Sequence, residues 1–296
     1  MTGRDDGDGM PAAGARALVL GGGGVAGIAW ETGLLLGLER HGIALRQADL
    51  IVGTSAGSTV AAQVAGPAPV EELYEAQIEG RVNELPGRLG LWSLLRLVIP
   101  LRRTKDETAA LAKVGAHALR AKTVPEATRH AVIEQRLPVH SWPQTPLKIP
   151  AVDAVTGEFT VFDASSGVAL TDAVAASCAV PMVWPPVTIG SARYFDGGIR
   201  SAANIDLAAG CDRVVVVTPQ TRGLRPGTAP AEQLAALSPR SSALVSPDAG
   251  ALAAMGRNSL DPRVRAASAR AGLAQADRVA ASVRAAWDAA QPPAPS

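Results

Sequence analysis

A short apolar run that ends in a glycine-flanked serine constrains this chain more than any other feature. Residues 50–52 (Leu-Ile-Val) have the branched, uncharged character of a buried strand, and residues 58–65 are typical of a helix. Ser55 then lies on the turn between them, within a G-x-S-x-G sequence. Gly53 and Gly57 suit such a turn because a Cβ at either position would collide with the neighbouring strand or helix. The sequence therefore predicts a tight strand–helix turn that presents the Ser55 hydroxyl.

The first strand of the chain runs into a glycine-rich loop. Residues 15–20 predict a short strand, residues 21–27 form the loop, and a helix is expected from about Ile28 onward. Consecutive glycines add no apolar surface and raise the entropy cost of ordering the backbone, so packing does not explain them. The order strand, loop, helix, strand, turn, helix predicts a parallel sheet with right-handed crossovers.

Three functions can be considered for the glycine loop. The pattern Gly22-x-Gly24-x-x-Gly27 fits a dinucleotide fingerprint, but Asp49 precedes the second strand, whereas that motif needs an acidic residue at the strand's end. A P-loop is excluded because no Lys-Ser/Thr pair follows the glycines. The third interpretation is an oxyanion hole, in which N–H groups of Gly22, Gly23 and Gly24 stabilise the negative oxygen formed when a serine attacks an ester.

A serine hydroxyl is a weak nucleophile and needs a neighbouring base. In an α/β-hydrolase the chain order is serine, acid, histidine, whereas every histidine of this chain precedes Asp196. A triad of that order is therefore excluded unless an acid lies before His117, His130 or His140 in an unusual arrangement. Asp196 is the favoured base because Gly197 and Gly198 free the backbone after it for a tight turn, in an otherwise apolar, aromatic setting. The alternative for this segment is an Asp-Gly-Gly hairpin turn between strands.

The composition excludes several classes of partner. Charged residues make up 19% of the chain and the formal net charge is +1, so no overall field would recruit nucleic acid. Cys178 and Cys211 lie far apart without a C-x-x-C partner, which argues against a disulfide framework or a zinc site. We expect no metal and no cofactor, and both cysteines are predicted to be small buried residues.

The ends and the overall organisation of the chain are assigned as follows. Residues 1–14 are polar and acidic and predict a disordered lead without the basic start and apolar core of a signal peptide. No uncharged stretch reaches the roughly 18 apolar residues that a membrane span needs. We expect a cytoplasmic protein with one domain over residues 15–290, including a helical insertion at about 67–144.

An apolar patch at residues 91–99, followed by a basic cluster at 102–105, allows two interpretations. In the first, 91–105 is an interfacial or lid segment: Trp92 and the leucines enter lipid while the arginines meet headgroups, which gives a peripheral membrane contact. In the second, the patch is a buried helix capped by solvated charge.

The remaining elements are assigned from hydrophobic period and cap signals. Residues 219–249 receive no assignment. The others are a hairpin of 147–153 with 158–162, helices over 70–85 and 172–178, an extended segment at 182–187, a buried strand at 213–218, capping boxes at Thr104/Glu107 and Thr123/Glu126, and a long helix that starts at Asp261-Pro262, carries Val279, Val283 and Trp287 on one face and ends before Gln291.

Four blocks in this order resemble the patatin-like phospholipase family: 21–27, 53–57, 175–181 and 196–198. The resemblance covers about residues 15–208. It implies an α/β fold, a three-layer α/β/α sandwich with a mostly parallel central sheet. It also implies a Ser-Asp catalytic dyad with Ser55 as nucleophile, Asp196 as base and the glycine loop as oxyanion hole.

The implied activity is hydrolysis of carboxylic esters in phospholipids or related lipids through an acyl-enzyme. The alternatives are an acyltransferase that uses the same acyl-enzyme and a catalytically weak lipid-binding protein. The sequence departs from the family pattern at two places, which bear on its substrate preference and on its level of activity. Many members have a basic residue where this chain has Val25 and Ala26, and many have Asn-x-Pro after the Asp-Gly-Gly, whereas Asn204 is followed here by Ile205 and Asp206.

Overall fold

A mixed sheet of eight strands forms the centre of the computed structural model, which describes residues 14–289. The strands in chain order are β1 (Arg16–Leu20), β2 (Leu50–Gly53), β3 (Leu147–Asp153), β4 (Phe159–Phe162), β5 (Val187–Ile189), β6 (Ala192–Asp196), β7 (Arg213–Val217) and β8 (Ser241–Val245). Their order across the sheet is β5-β6-β3-β2-β1-β7-β8, with β4 paired to β3. The run from β3 to β8 is parallel, whereas β4, β5 and β6 are antiparallel to their neighbours.

Ten α-helices lie within the described part of the chain. They are α1 (Gly24–Arg40), α2 (Ala56–Val64), α3 (Val70–Glu79), α4 (Leu91–Arg103), α5 (Glu107–Leu119), α6 (Glu126–Arg136), α7 (Leu170–Ser177), α8 (Pro230–Leu237), α9 (Ala249–Met255) and α10 (Arg265–Trp287). None of these helices is long and apolar enough to cross a membrane.

The helices cover both faces of the sheet because successive strand residues point to opposite sides. On one face, Leu18, Leu20 and Ile51 pack in a core with α1, α2 and α10. On the other face, Val19 and Val52 pack against a short 3₁₀ helix at Ile205–Ala208 and against leucines of α8. Helices α4 and α5 pack on strands β3 and β6 in a third cluster. The predicted α/β/α sandwich with a mostly parallel sheet is confirmed.

Helices α1 and α10 approach each other through glycines. A Cβ built on Gly33 would lie 2.0 Å from the carbonyl oxygen of Ala269, and one built on Gly272 would lie 2.1 Å from the carbonyl oxygen of Trp30. The indole Nε1 of Trp30 donates to Gln275 Oε1 at 3.0 Å across the same interface. Since backbone meets backbone here, the interface has no room for a side chain at either glycine.

Several predicted helix boundaries are wrong. Helix α1 begins at Gly24 rather than near Ile28, and α2 begins at Ala56 rather than at residue 58. Both helices therefore start within the predicted turns, before the last glycine of each. Helix α3 ends at Glu79 rather than at residue 85, because Gly80 takes a left-handed conformation with φ 68° and caps it.

The two predicted capping boxes do not form. Helix α5 is capped by Asp106, whose side chain accepts from the Ala109 N–H at 2.6 Å, and α6 follows Pro125 without a side-chain cap. A nearer aspartate outcompetes Thr104, while the ring of Pro125 sets an extended entry into α6.

Other differences concern weakly patterned segments. The unassigned stretch 219–249 contains α8 and β8, and β8 pairs in parallel with β7 at the sheet edge. Met182, expected in an extended segment, has a φ of 62° and lies in a turn. The hairpin of β3 and β4 and the strand β7 are confirmed.

Four helices, α3 to α6, lie between α2 and β3, where the sequence predicts a helical insertion. The long final helix α10 is preceded by a 3₁₀ turn at Pro262–Val264, and Val283 and Trp287 are buried on its inner face. The predicted disordered lead at residues 1–14 lies, apart from Gly14, outside the described residues.

The substitution Gly33→Ala is expected to lower the free energy of unfolding by about 3 kcal/mol, because the added Cβ forces α1 away from α10. Alanine is intrinsically the better helix former by about 1 kcal/mol, so the sign of the effect is informative. Chemical denaturation followed by circular dichroism measures it. Gly250→Ala is the matched control: its Cβ would meet only Asp248 Oδ1, at 3.4 Å, so that variant should be neutral or slightly stabilised. Equal stabilities for the two variants would contradict the close approach of α1 and α10.

Candidate active site

Ser55 lies on the predicted turn between β2 and α2, in a strained backbone conformation. Its φ is 54° and its ψ is −119°, a region that residues with a Cβ rarely adopt. Such a conformation costs on the order of 1–3 kcal/mol and persists only where the surroundings impose it. The contacts around Ser55 must therefore hold its backbone in this conformation.

The flanking glycines have the steric role that the sequence predicts. A Cβ on Gly53 would lie 2.6 Å from the Cβ of Ala61 in α2, and a Cβ on Gly57 would lie 2.3 Å from the carbonyl oxygen of Leu20. The N–H of Gly57 also donates to the carbonyl oxygen of Gly21 at 3.0 Å. The serine turn is thus bonded directly to the glycine loop that follows β1.

Polar groups from other segments hold the backbone of Ser55 on both sides. Its N–H donates to Ser177 Oγ at 3.0 Å. Its carbonyl oxygen accepts from Ser58 Oγ at 2.7 Å and from the Cys178 thiol at 3.1 Å. Burial raises the pKa of the Cys178 thiol, so that thiol stays protonated and can donate. Sequence reasoning missed these contacts, and it described Cys178 only as a small buried residue.

Asp196 lies at the end of β6, with one carboxylate oxygen bonded to the serine. Ser55 Oγ donates to Asp196 Oδ2 at 2.7 Å, and the Gly198 N–H donates to Asp196 Oδ1 at 2.7 Å. The structure therefore brings the two predicted catalytic residues together from positions 141 residues apart. The aspartate is 2% exposed.

Burial changes the acidity of Asp196. It raises the pKa of the carboxyl from its ordinary value of about 3.8 to about 7, while the bonds from Ser55 and Gly198 act in the opposite direction. The folded state therefore holds this proton more tightly than the unfolded chain does. The resulting contribution to stability is fully present below about pH 4 and is lost as the pH rises through about 7.

The turn after Asp196 is fastened to the strand that carries the serine. A Cβ on Gly197 would lie 2.5 Å from the carbonyl oxygen of Pro150, which explains glycine at that position. Asn204 is fully buried, and its Nδ2 donates to Thr54 Oγ1 at 3.1 Å and, more weakly, to Gly197 O at 3.3 Å. The turn is a short 3₁₀ helix at Gly197–Ile199 rather than a hairpin turn.

The glycine loop offers fewer free donors than predicted. The Gly22 N–H donates to the carbonyl oxygen of Ala202 at 2.8 Å, so it is not free to bind an oxyanion as predicted. Within residues 14–289, the N–H groups of Gly23 and Gly24 have no hydrogen-bond partner. They stand at the start of α1, where unpaired N–H groups and the helix dipole favour a negative charge.

A cavity of about 760 Å³ lies above these groups. Ser55, Asp196, Gly22 and Gly24 are among the residues that line it. Polar and charged residues share its lining with a group of leucine and isoleucine side chains: Leu89, Leu94, Leu97, Ile199, Leu224 and Leu260. A cavity that combines aliphatic side chains with convergent polar groups suits a ligand that has both apolar and polar parts.

The histidines lie elsewhere, in keeping with a site that does not use them. His130 Nε2 lies 2.8 Å from Asp172 Oδ1, and His41 Nε2 lies 2.8 Å from Asp277 Oδ1. No histidine is among the described residues that line the cavity. Within the same part of the chain, no group of three or more His, Cys, Asp or Glu side chains is arranged to hold a metal ion.

The α/β fold and the cavity over Ser55 are the features to compare with known families, because a fold alone does not define an activity. Residues 18–209 match the family model of the patatin-like phospholipases. That match spans more than half of the 296 residues, so the chain belongs to the patatin-like phospholipase family. The family membership that the four sequence blocks predict is confirmed.

Two solved structures match this chain at low identity. VipD from Legionella pneumophila is 12% identical with a TM-score of 0.47, and the alignment covers 91% of this chain and 67% of VipD. The type III effector protein ExoU is 17% identical with a TM-score of 0.36, covering 92% of this chain and 54% of ExoU. Among curated proteins, none matches this chain.

We predict that Ser55→Gly is more stable than Ser55→Ala by about 1 kcal/mol, because only glycine adopts a positive φ without Cβ strain. Both variants lack the hydroxyl, so the lost bond to Asp196 is the same in each. Denaturant midpoints measure the difference. At Ser282, an exposed position within α10, the order should reverse because alanine is the better helix former. The same order at both positions would contradict strain at Ser55.

Proposed function

We propose that this protein is a serine lipid acyl hydrolase in which Ser55 is the nucleophile and Asp196 the base. The observation that carries the proposal is the 2.7 Å bond from Ser55 Oγ to a buried Asp196 carboxylate. No histidine stands between them, so the proton of the hydroxyl has the carboxylate as its direct acceptor.

The reaction proceeds through an acyl-enzyme. Asp196 Oδ2 takes the proton from Ser55 Oγ as that oxygen attacks the ester carbonyl carbon. The N–H groups of Gly23 and Gly24 stabilise the oxyanion, and each such donor contributes roughly 3–4 kcal/mol in enzymes where it has been removed. Asp196 then gives the proton to the departing alcohol, and water reverses the sequence to release the fatty acid.

The acidity of Asp196 matches this role. An aspartate with a pKa near 3.9 is a poor base for a serine hydroxyl. Burial brings the pKa to about 7, and a catalytic base works best when its pKa lies near the working pH. The apolar walls of the cavity suit the acyl chain of the ester, which leaves the carbonyl at Ser55.

Labelling with a fluorophosphonate tests both residues. The rate of labelling should rise with pH through about 7, because the base is active only after it loses its proton. Ser55→Ala should not label, and Asp196→Asn should label on the order of 10²–10⁴ times more slowly. His130→Ala is the control and should label like the unaltered protein. Labelling that persists in Ser55→Ala, or that is lost in His130→Ala, would overturn the assignment.

Product analysis separates hydrolase from acyltransferase. With a lipid ester alone, free fatty acid should form. If added lysolipid diverts most of the acyl groups into a new diacyl product, the acyl-enzyme serves a transferase. A protein that binds lipid but forms neither product would be a binding protein that keeps the fold.

We also propose that α4 contacts a lipid surface. Its outer face exposes apolar side chains at helical spacing: Leu91 is 69% exposed, Trp92 76% and Ile99 47%. Its inner face buries Leu97 and Leu101, so the simple interpretation as a buried helix accounts for only half of it. Arginines lie at its C-terminal end, where anionic headgroups would meet them. Because Leu97 also lines the cavity, the helix connects that surface to the site.

Vesicle sedimentation tests this contact. The double variant Trp92→Ala, Ile99→Ala should bind anionic phospholipid vesicles on the order of tenfold more weakly, since each removed side chain buries apolar area in the bilayer interface. Leu252→Ala removes a comparably exposed leucine from α9 and is the control. Equal binding by both variants, with unchanged labelling of Ser55, would remove α4 as the contact and leave the catalytic proposal intact.

A further inference from the structure

Five charged side chains line the cavity, and three of them are already paired. Asp196 is bonded to Ser55, and Arg263 Nη2 lies 2.6 Å from Asp261 Oδ2. The remaining two are Arg88 and Arg257, which have no hydrogen bond or ion pair with any side chain or carbonyl within residues 14–289. An arginine keeps its charge at every physiological pH. The cavity therefore carries two guanidinium groups that form no ion pair with an acidic side chain of the described residues.

The two arginines are held on the same rim although they are far apart in sequence. Asn258 Nδ2 donates to the carbonyl oxygen of Gly87 at 3.0 Å, and the Gly87 N–H donates to the carbonyl oxygen of Leu260 at 3.4 Å. Arg88 directly follows Gly87, and Arg257 directly precedes Asn258. The two segments are thus bonded together at the positions next to the arginines.

Each of these segments is also anchored to the body of the protein. On the first, Arg136 binds Glu84 through two bonds of 2.7 Å, both side chains being almost fully buried. On the second, the carbonyl oxygen of Ser259 accepts from the Ala26 N–H at 2.9 Å. The rim is therefore fixed and lies beside the start of α1, where the proposed oxyanion donors are.

A guanidinium binds a phosphate through two parallel hydrogen bonds. Two guanidinium groups that line a cavity together with leucine side chains suit a ligand that has both a phosphate and an acyl chain. In a glycerophospholipid the phosphodiester is attached to the same glycerol as the esters. It therefore lies within a few bonds of the carbonyl that Ser55 would attack. An ester without phosphate would leave both arginines unpaired at the cavity.

We propose that Arg88 and Arg257 form a subsite for the phosphate of a glycerophospholipid, which makes phosphodiester lipids the preferred substrates. This inference rests on the proposed function of Ser55 and Asp196. It assigns the two arginines to selection among esters and not to the chemical step.

The test compares two soluble substrates with the same acyl chains: dihexanoyl phosphatidylcholine and dihexanoylglycerol, both kept below the concentrations at which they aggregate. Phosphatidylcholine has no net charge, so a preference for it reports contact with the phosphate and not general attraction to an anion. The measured quantity is the ratio of kcat/KM for the phospholipid to kcat/KM for the diacylglycerol. Monomeric substrates also remove any effect of α4 on binding to a lipid surface.

In the unaltered protein the ratio should exceed one. Arg88→Ala and Arg257→Ala should each lower it about tenfold, as expected for the loss of a charge-assisted bond, and the double variant should lower it further. Arg88→Lys should retain part of the preference because it keeps the charge without the planar fork. Arg120→Ala removes an exposed arginine outside the cavity and should leave the ratio unchanged.

The outcomes separate the two proposals. If the unaltered protein hydrolyses neither substrate, the proposed function fails and this inference fails with it. If both are hydrolysed and the ratio in the double variant equals that of Arg120→Ala, the subsite alone is overturned. Inorganic phosphate added to the diacylglycerol assay distinguishes a free-phosphate site. If phosphate changes that rate in the unaltered protein but not in the double variant, while the ratio is unaffected, the arginines bind free phosphate and not the substrate.

Discussion

The hydrogen bond between Ser55 and Asp196 depends on the register of three strands. Strand β3 lies between β2 and β6, with Val52 opposite Lys148 and Asp196 opposite Ala151. Ser55 is three residues beyond Val52, as Ala151 is three beyond Lys148, so the serine and the aspartate stand at the same level of the sheet. A slip of one residue in either pairing would move one side chain to the opposite face and separate the pair.

Several hydrogen bonds hold Ser55 and Asp196 in an arrangement that lowers the stability of the fold. Positive φ at Ser55 and burial of the Asp196 carboxylate both reduce the stability of the fold at neutral pH. Bonds from Ser177, Cys178 and Asn204 fix the backbone around the two residues. These side chains come from segments after α2, so the strained turn is held by contacts with distant parts of the chain. Reduced stability of this kind often accompanies a prepared catalytic group, which is the role proposed for Ser55 and Asp196.

The lining of the cavity has an aliphatic part and a charged part, and the two would contact different parts of a ligand. The leucines of α4 and its neighbours provide a surface for an acyl chain, while Arg88 and Arg257 provide charge next to the glycine loop. Helix α4 takes part in both the outer surface and the cavity wall, because its two faces differ in exposure. The arrangement suits a molecule with an apolar chain, an ester and an anionic group in that order.

The sequence by itself determined the local features: the strands β1, β2 and β7, the serine turn, the glycine positions around it and the Asp-Gly-Gly segment. These follow from backbone sterics and from runs of buried apolar residues, which act within a few positions. Contacts between distant segments were visible only in the tertiary structure. It engaged the Gly22 N–H with Ala202 and paired β8 with β7 despite its weak pattern. It also bonded Gly87 to Asn258, which brings Arg88 and Arg257 to the lining of one cavity. Contacts between distant segments depend on sheet order and loop anchoring, and no local pattern encodes those.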